Sequence, residues 1–180
     1  MIGARLVAAT FFLLCGMLHA APYEDELLRL EVPTGFQGPI RASPGAGAVV
    51  IVYSKPHTGD RGTLLQITTY DFGANWPKLN RAELGAAAEK NLLKFLGGIQ
   101  RRRTSFEASL PTRVELGGLP AARVTWKGVA RGFRMFGTMY CVIVGSRVVT
   151  FHTQDFEGAP PQNTSDVIRS FETVQFKDAG

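Results

Sequence analysis

Arg101-Arg102-Arg103 is the densest run of charge in the sequence. Three adjacent guanidiniums repel one another unless water or an anion lies between them, and their forked donors match carboxylate and phosphate. Arg101, Arg102 and Arg103, extended by Lys127, Arg131 and Arg134, form a candidate surface for an anionic partner. The segment from Arg101 to Arg134 carries eight basic residues against only Glu107 and Glu115. The plainer reading of the triplet is a solvated turn, or an edge strand that charge keeps from pairing.

Other chemistry is sparse. A transition-metal site needs several Cys, His or carboxylate ligands at close spacing, whereas His57 and His152 fall in separate hairpins. His57 with Asp60 could hold a metal weakly, but it reads as an exposed loop histidine. Ser146 lies in a tight turn with no evident base, and no Gly-x-Ser-x-Gly elbow occurs. Gly128 and Gly132 bracket a hairpin loop, not a strand-to-helix phosphate loop. Asn163-Thr164-Ser165 matches a glycosylation acceptor, but a helix cap explains it. Cys141 reads as a small buried hydrophobe, not a reactive thiol. No catalytic residue, metal ligand or cofactor is expected.

The first twenty residues read as a processing signal: Arg5 supplies positive charge, Leu6 to Leu18 is apolar, and Ala20 offers a small residue for cleavage. That divides the chain into a signal at 1–20 and one α+β domain at 21–180. Leu14 is a poor residue before a lipidated Cys15, so a lipoprotein is not expected. The apolar run is shorter than a spanning helix, which predicts a periplasmic or secreted protein without a membrane span. Cys141 is then the lone cysteine, so no internal disulfide can form. The formal charge of +5 drops by one with Arg5, leaving a mildly basic protein. Nucleic acid is a poor partner for an exported chain; an envelope protein or an anionic envelope surface fits better.

The elements that must position these residues follow from periodicity. From Met135 to Val144, Phe136, Thr138, Tyr140, Val142 and Val144 fall on one face and Met135, Gly137, Met139, Cys141 and Ile143 on the other. Neither face is polar, so both need cover. Gly145-Ser146 then suits a type II′ turn into Val148 to Thr153. Earlier, Leu28, Leu30 and Val32 alternate with Arg29 and Glu31, and residues 48–53 and 63–70 form a second hairpin. Gly38 to Gly47, with Pro39 and Pro44, reads as a loop. Asn80 and Glu83 form a capping box for a helix whose stripe is Leu84, Ala87, Ala88, Leu92, Phe95 and Leu96 and whose end is Gly97-Gly98. Residues 102–108 and 112–116 are weaker strands. A short helix starts at Asn163 to Asp166, followed by a terminal strand. The fold class is α+β: a mostly antiparallel β-sheet flanked by helices on both faces, an α/β/α sandwich.

Three motifs carry a resemblance: Leu30-Glu31-Val32-Pro33-Thr34-Gly35-Phe36, Gly118-Leu119-Pro120-Ala121-Ala122-Arg123-Val124, and Ile168-Arg169-Ser170-Phe171. With the element order, they resemble the PsbP-like and Mog-like α/β/α sandwich superfamily, including bacterial DcrB-type or DUF1795 exported proteins. The resemblance implies a binding or accessory protein without a shared catalytic site. The expected function is thus an exported, non-enzymatic accessory protein of the bacterial envelope. The alternatives are a ligand-pocket protein or hydrolase with an apolar pocket lined by Trp126, Phe133, Tyr140 and Phe151, and an adaptor for a partner's hydrophobic helix.

Overall fold

The computed structural model describes residues 22–45, 47–59, 61–73 and 75–177. The expected signal, its cleavage site and Cys15 lie outside them, as does Asp60. In chain order the elements are β1 (Pro22–Glu24), β2 (Leu28–Glu31), β3 (Gln37–Gly45), β4 (Ala48–Pro56), β5 (Gly62–Asp71), α1 (Arg81–Gln100), β6 (Ser105–Ala108), β7 (Thr112–Leu116), β8 (Leu119–Ala130), β9 (Phe133–Val144), β10 (Arg147–Phe156), α2 (Pro161–Glu172) and β11 (Gln175–Phe176).

Eight strands make one sheet in the order β3-β4-β5-β10-β9-β8-β6, with β7 on the first half of β8. Every pairing is antiparallel, so the fold is α+β with an antiparallel sheet. A second sheet, β1-β2-β11, joins the first and last described strands. Val144 pairs with Arg147 across Gly145-Ser146, and Gly145 has φ 56° while Ser146 does not turn positive, as a type II′ hairpin requires.

Alternation along β9 builds two cores. Tyr140, Val142 and Val144 join Leu28, Leu30, Phe151, Val167 and Phe171 in one. Met139, Cys141 and Ile143 join Ala88, Leu92, Leu96, Val124 and Trp126 in the other. The two-faced apolar strand is thus a wall shared by both. Gly137 has no side chain because Trp126 lies across it: a Cβ there would sit 2.7 Å from the indole and 2.4 Å from the Thr153 carbonyl oxygen.

The Asn80–Glu83 capping box is present, Asn80 Oδ1 accepting from the Ala82 and Glu83 amides while Glu83 accepts from that of Asn80. Three expectations need correction. The helix runs through Gly97-Gly98 to Gln100, because Ile99 packs on the second core and the Arg101 amide bonds back to Gly97. Residues 37–45 are an exposed edge strand, not a loop; register shifts on either side of Ile40 to Ala42 absorb Pro39 and Pro44. Asn163 does not cap α2, which starts at Pro161 behind Pro160; Asn163 and Thr164 are buried within it.

Candidate functional site

Beyond the C-terminal end of α1, four segments converge on a cleft of about 650 Å³. The β4–β5 loop brings Thr58, Gly59 and Arg61; the turn after α1 brings Arg102 and Arg103; the β8–β9 hairpin brings Ala130, Arg131 and Phe133; Met135, Gln154 and Phe156 come from β9 and β10. Four arginines line it, and no described carboxylate does. Its other half is apolar, and Phe133 at the mouth is 48% exposed. The Arg61 guanidinium lies 5.8 Å from the Phe133 ring centroid.

Arg131-Gly132 closes the β8–β9 hairpin with φ of 52° and 80° at both turn positions, a type I′ geometry. Asn or Gly suits the first position; an arginine there costs about 1–2 kcal/mol against a relaxed backbone. The turn projects that charge at the cleft rim. The side chains of Arg102 and Arg131 make no hydrogen bond or ion pair among the described residues.

Arg103 is different. Its guanidinium stacks 4.1 Å from the Trp126 ring and donates to the Ile99 carbonyl at 2.8 Å and to Gln154 Oε1 at 3.0 Å. Gly128 gives its stem passage, since a Cβ there would come within 2.8 Å of Arg103 Cδ. Burial, and then the neighbouring Arg102 charge, pull its pKa below the usual arginine range. Arg103 is the floor of the cleft, not a free cation.

The six basic residues of the sequence reading therefore separate. Arg102, Arg103 and Arg131 meet in the cleft. Arg101 is exposed on the turn outside the lining. Lys127 and Arg134 line a neighbouring depression of about 750 Å³ together with Glu107 and Glu157. There Lys127 faces Glu107 across the β6–β8 pair and Arg134 lies 3.5 Å from Glu157, so the charge is balanced. Arg61 was invisible from sequence: it sits forty residues before the triplet, and only the β4–β5 hairpin brings it there.

The four residues of the alternative apolar pocket do not meet. Tyr140 and Phe151 belong to one core and Trp126 to the other, while Phe133 is out at the cleft mouth. Nor is His57 a free loop histidine. Its Nε2 lies 3.1 Å from Asp155 Oδ1, and Thr63 donates to Asp155 Oδ2 at 2.6 Å. Asp155 is 0% exposed and also accepts the Phe156 amide at 2.8 Å. A buried carboxylate demands such partners; Asp155 at the end of an apolar strand was the available clue. Thr63 is fully buried with its proton committed to Asp155, so the trio latches the loop carrying Thr58, Gly59 and Arg61 onto β10.

His152 and Cys141 are both core residues. Burial, and then Arg103, lower the His152 pKa to about 3, so its ring is neutral, and its Nε2 has no described partner. Burial pushes the Cys141 thiol up to about 12, which leaves it unreactive. No group of three or more His, Cys, Asp or Glu that could hold a metal occurs among the described residues. No described helix is long and apolar enough to cross a membrane.

No protein-family profile matches the chain, and no curated protein matches its sequence. Solved structures do. Cyanobacterial PsbP (CyanoP) of Synechocystis sp. PCC 6803 superposes with a TM-score of 0.64 at 11% identity, over 95% of this chain and 98% of that one. The fold is PsbP-like. LpqN, involved in cell envelope biogenesis of Mycobacterium tuberculosis, gives 0.57 at 15% identity, over 90% of this chain and 87% of that one. A Pseudomonas aeruginosa protein of unknown function gives 0.52 at 12% identity, over 86% and 95%. Within this PsbP-like fold the three resembling motifs are structural: Leu30 and Val32 of the first and Phe171 of the third are core residues, and the second turns β7 into β8.

Proposed function

We propose that this chain is an exported, non-enzymatic accessory protein of the bacterial cell envelope that holds an anionic partner in the cleft between Arg61, Arg102 and Arg131. The carrying observation is the cleft itself, four arginines with no described carboxylate, two of them with no side-chain hydrogen bond or ion pair among the described residues. Opposite charge is what such a surface attracts. The leader-like first twenty residues support export with cleavage near Ala20. Similarity to LpqN, an envelope-biogenesis protein, supports the compartment.

The sandwich reading belongs here too. One core takes α1 and the other takes α2 with the small sheet, which supports an α/β/α arrangement of the DcrB-type. The cleft lies at its end, on the rim. A binding role without catalysis is supported by the commitment of the strongest described candidates for chemistry: Asp155 and Thr63 to the His57 latch, Cys141 and His152 to a core.

The test is charge reversal in the cell. Photo-crosslinking from the cleft rim in envelope fractions should yield one identified partner with wild-type protein and lose it with Arg102→Glu/Arg131→Glu. The same partner captured by both would refute the cleft as the binding site, and full-length protein in the cytoplasm would refute export.

A further inference from the structure

Half of the cleft is cationic and half is hydrocarbon, and a partner that is merely anionic leaves the second half unexplained. Ala130, Phe133, Met135 and Phe156 supply the apolar side. Phe133 is half exposed although it stands at the end of a strand that is buried at Met135 and from Gly137 to Val144. Its ring meets Phe156 edge-on at 5.8 Å between centroids, and Arg61 approaches the same ring. Phe133 and Phe156 thus form an aromatic shelf with guanidiniums of Arg61, Arg102 and Arg131 around it.

From this juxtaposition, and resting on the accessory-protein reading above, we infer that the cleft binds a single-chain anionic amphiphile, its phosphate or carboxylate head among Arg61, Arg102 and Arg131 and its alkyl chain on Phe133, Met135 and Phe156. A cleft of about 650 Å³ is of the size that takes one small molecule. A peptide would need its backbone donors and acceptors met. The neutral polar side chains here are Thr58 and Gln154, and Gln154 Oε1 already accepts from Arg103. An alkyl chain makes no such demand. Met135 adds an adaptable surface, suited to chains of varied length.

The Arg131 turn is a second and independent observation. A type I′ hairpin closes more easily with Asn or Gly, so the arginine is held against local preference at the one place where its charge overhangs the shelf. The His57–Asp155–Thr63 latch is a third: it ties the opposite wall, with Arg61, to β10. Both walls are preorganised around the shelf, which lowers the ordering cost of binding.

Calorimetric titration of the purified protein with dodecyl phosphate, below its micelle-forming concentration, tests this. Inorganic phosphate carries the head alone and dodecyl maltoside the chain alone; each should bind at least tenfold more weakly. Dodecanoate keeps chain and charge, and tight binding of either anion supports the assignment. Octyl phosphate should bind more weakly than dodecyl, by about fourfold for each methylene that the cleft covers. Arg102→Glu/Arg131→Glu and, separately, Phe133→Ser should each cost tenfold or more with an unchanged far-UV spectrum. Phe133 is exposed enough that its loss leaves both cores intact.

Equal binding of inorganic phosphate or of dodecyl maltoside overturns the inference, as does binding that survives both variants. So does sedimentation with phosphatidylglycerol vesicles without binding of monomeric dodecyl phosphate, or tight binding of an acidic, Phe-containing peptide in its place. If no amphiphile binds while the crosslinked envelope partner is still lost on charge reversal, this inference falls and the accessory reading stands.

Discussion

At the scale of residues, the chain spends most of its polar chemistry on holding itself together. Asp155 holds His57, and Arg103 bridges a helix end, an indole and Gln154. His152 sits in the second core with a ring that cannot accept a proton until far below neutral pH. The unfolded chain binds that proton near the ordinary value of 6.5 and the folded chain does not until about 3, so stability falls as pH drops through this window. The slope is at most about 1.4 kcal/mol per pH unit. We expect the urea midpoint of wild type to fall further between pH 7 and pH 4.5 than that of His152→Met, by roughly 2–3 kcal/mol of stability. Parallel acid limbs in the two proteins would show that His152 is not the group responsible.

At the scale of elements, local signals were reliable where local energy decides. Asn80 three residues before Glu83 announced the start of α1, because a capping box is read by backbone amides within one turn. Asn80→Ala should lower stability by about 1 kcal/mol, measured as a shift in thermal midpoint, whereas Asn163→Ala would act through lost packing inside α2, not through a cap. Signals failed where tertiary contact overrode propensity. Gly97-Gly98 looked like a stop, but Ile99 and the packing of the last turn carried the helix past it. Pro39 and Pro44 looked like a loop, but β4 offered an edge to pair with and irregular register tolerated them. The Arg131-Gly132 turn was readable as a hairpin from its flanking strands, while the left-handed arginine within it was not.

At the scale of the whole molecule, the antiparallel α+β architecture was legible because the Phe136 to Val144 strand is apolar on two faces and has to be covered twice. The cleft was only partly legible. Arg102, Arg103 and Arg131 could be proposed from charge density, yet Arg61, Met135 and Phe156 join them through long-range strand pairing that no window of sequence contains. The shared wall also couples the two cores. Phe171→Ala in one and Leu92→Ala in the other should each cost about 3–4 kcal/mol. Each should lower a single transition, followed by near- and far-UV circular dichroism together. Two separable transitions would mean that β9 does not transmit stability between them.

One end of the great sheet is β3, wholly exposed and broken in register around Ile40 to Ala42. At the other, β8 is covered not by one long strand but by two short ones, β7 and β6, that meet it at different halves. Neither margin offers a straight row of free amides for a second copy to dock on and propagate. A protein built around so large an antiparallel sheet would otherwise be a seed for fibres. Here both margins are broken, which blunts edge-to-edge pairing.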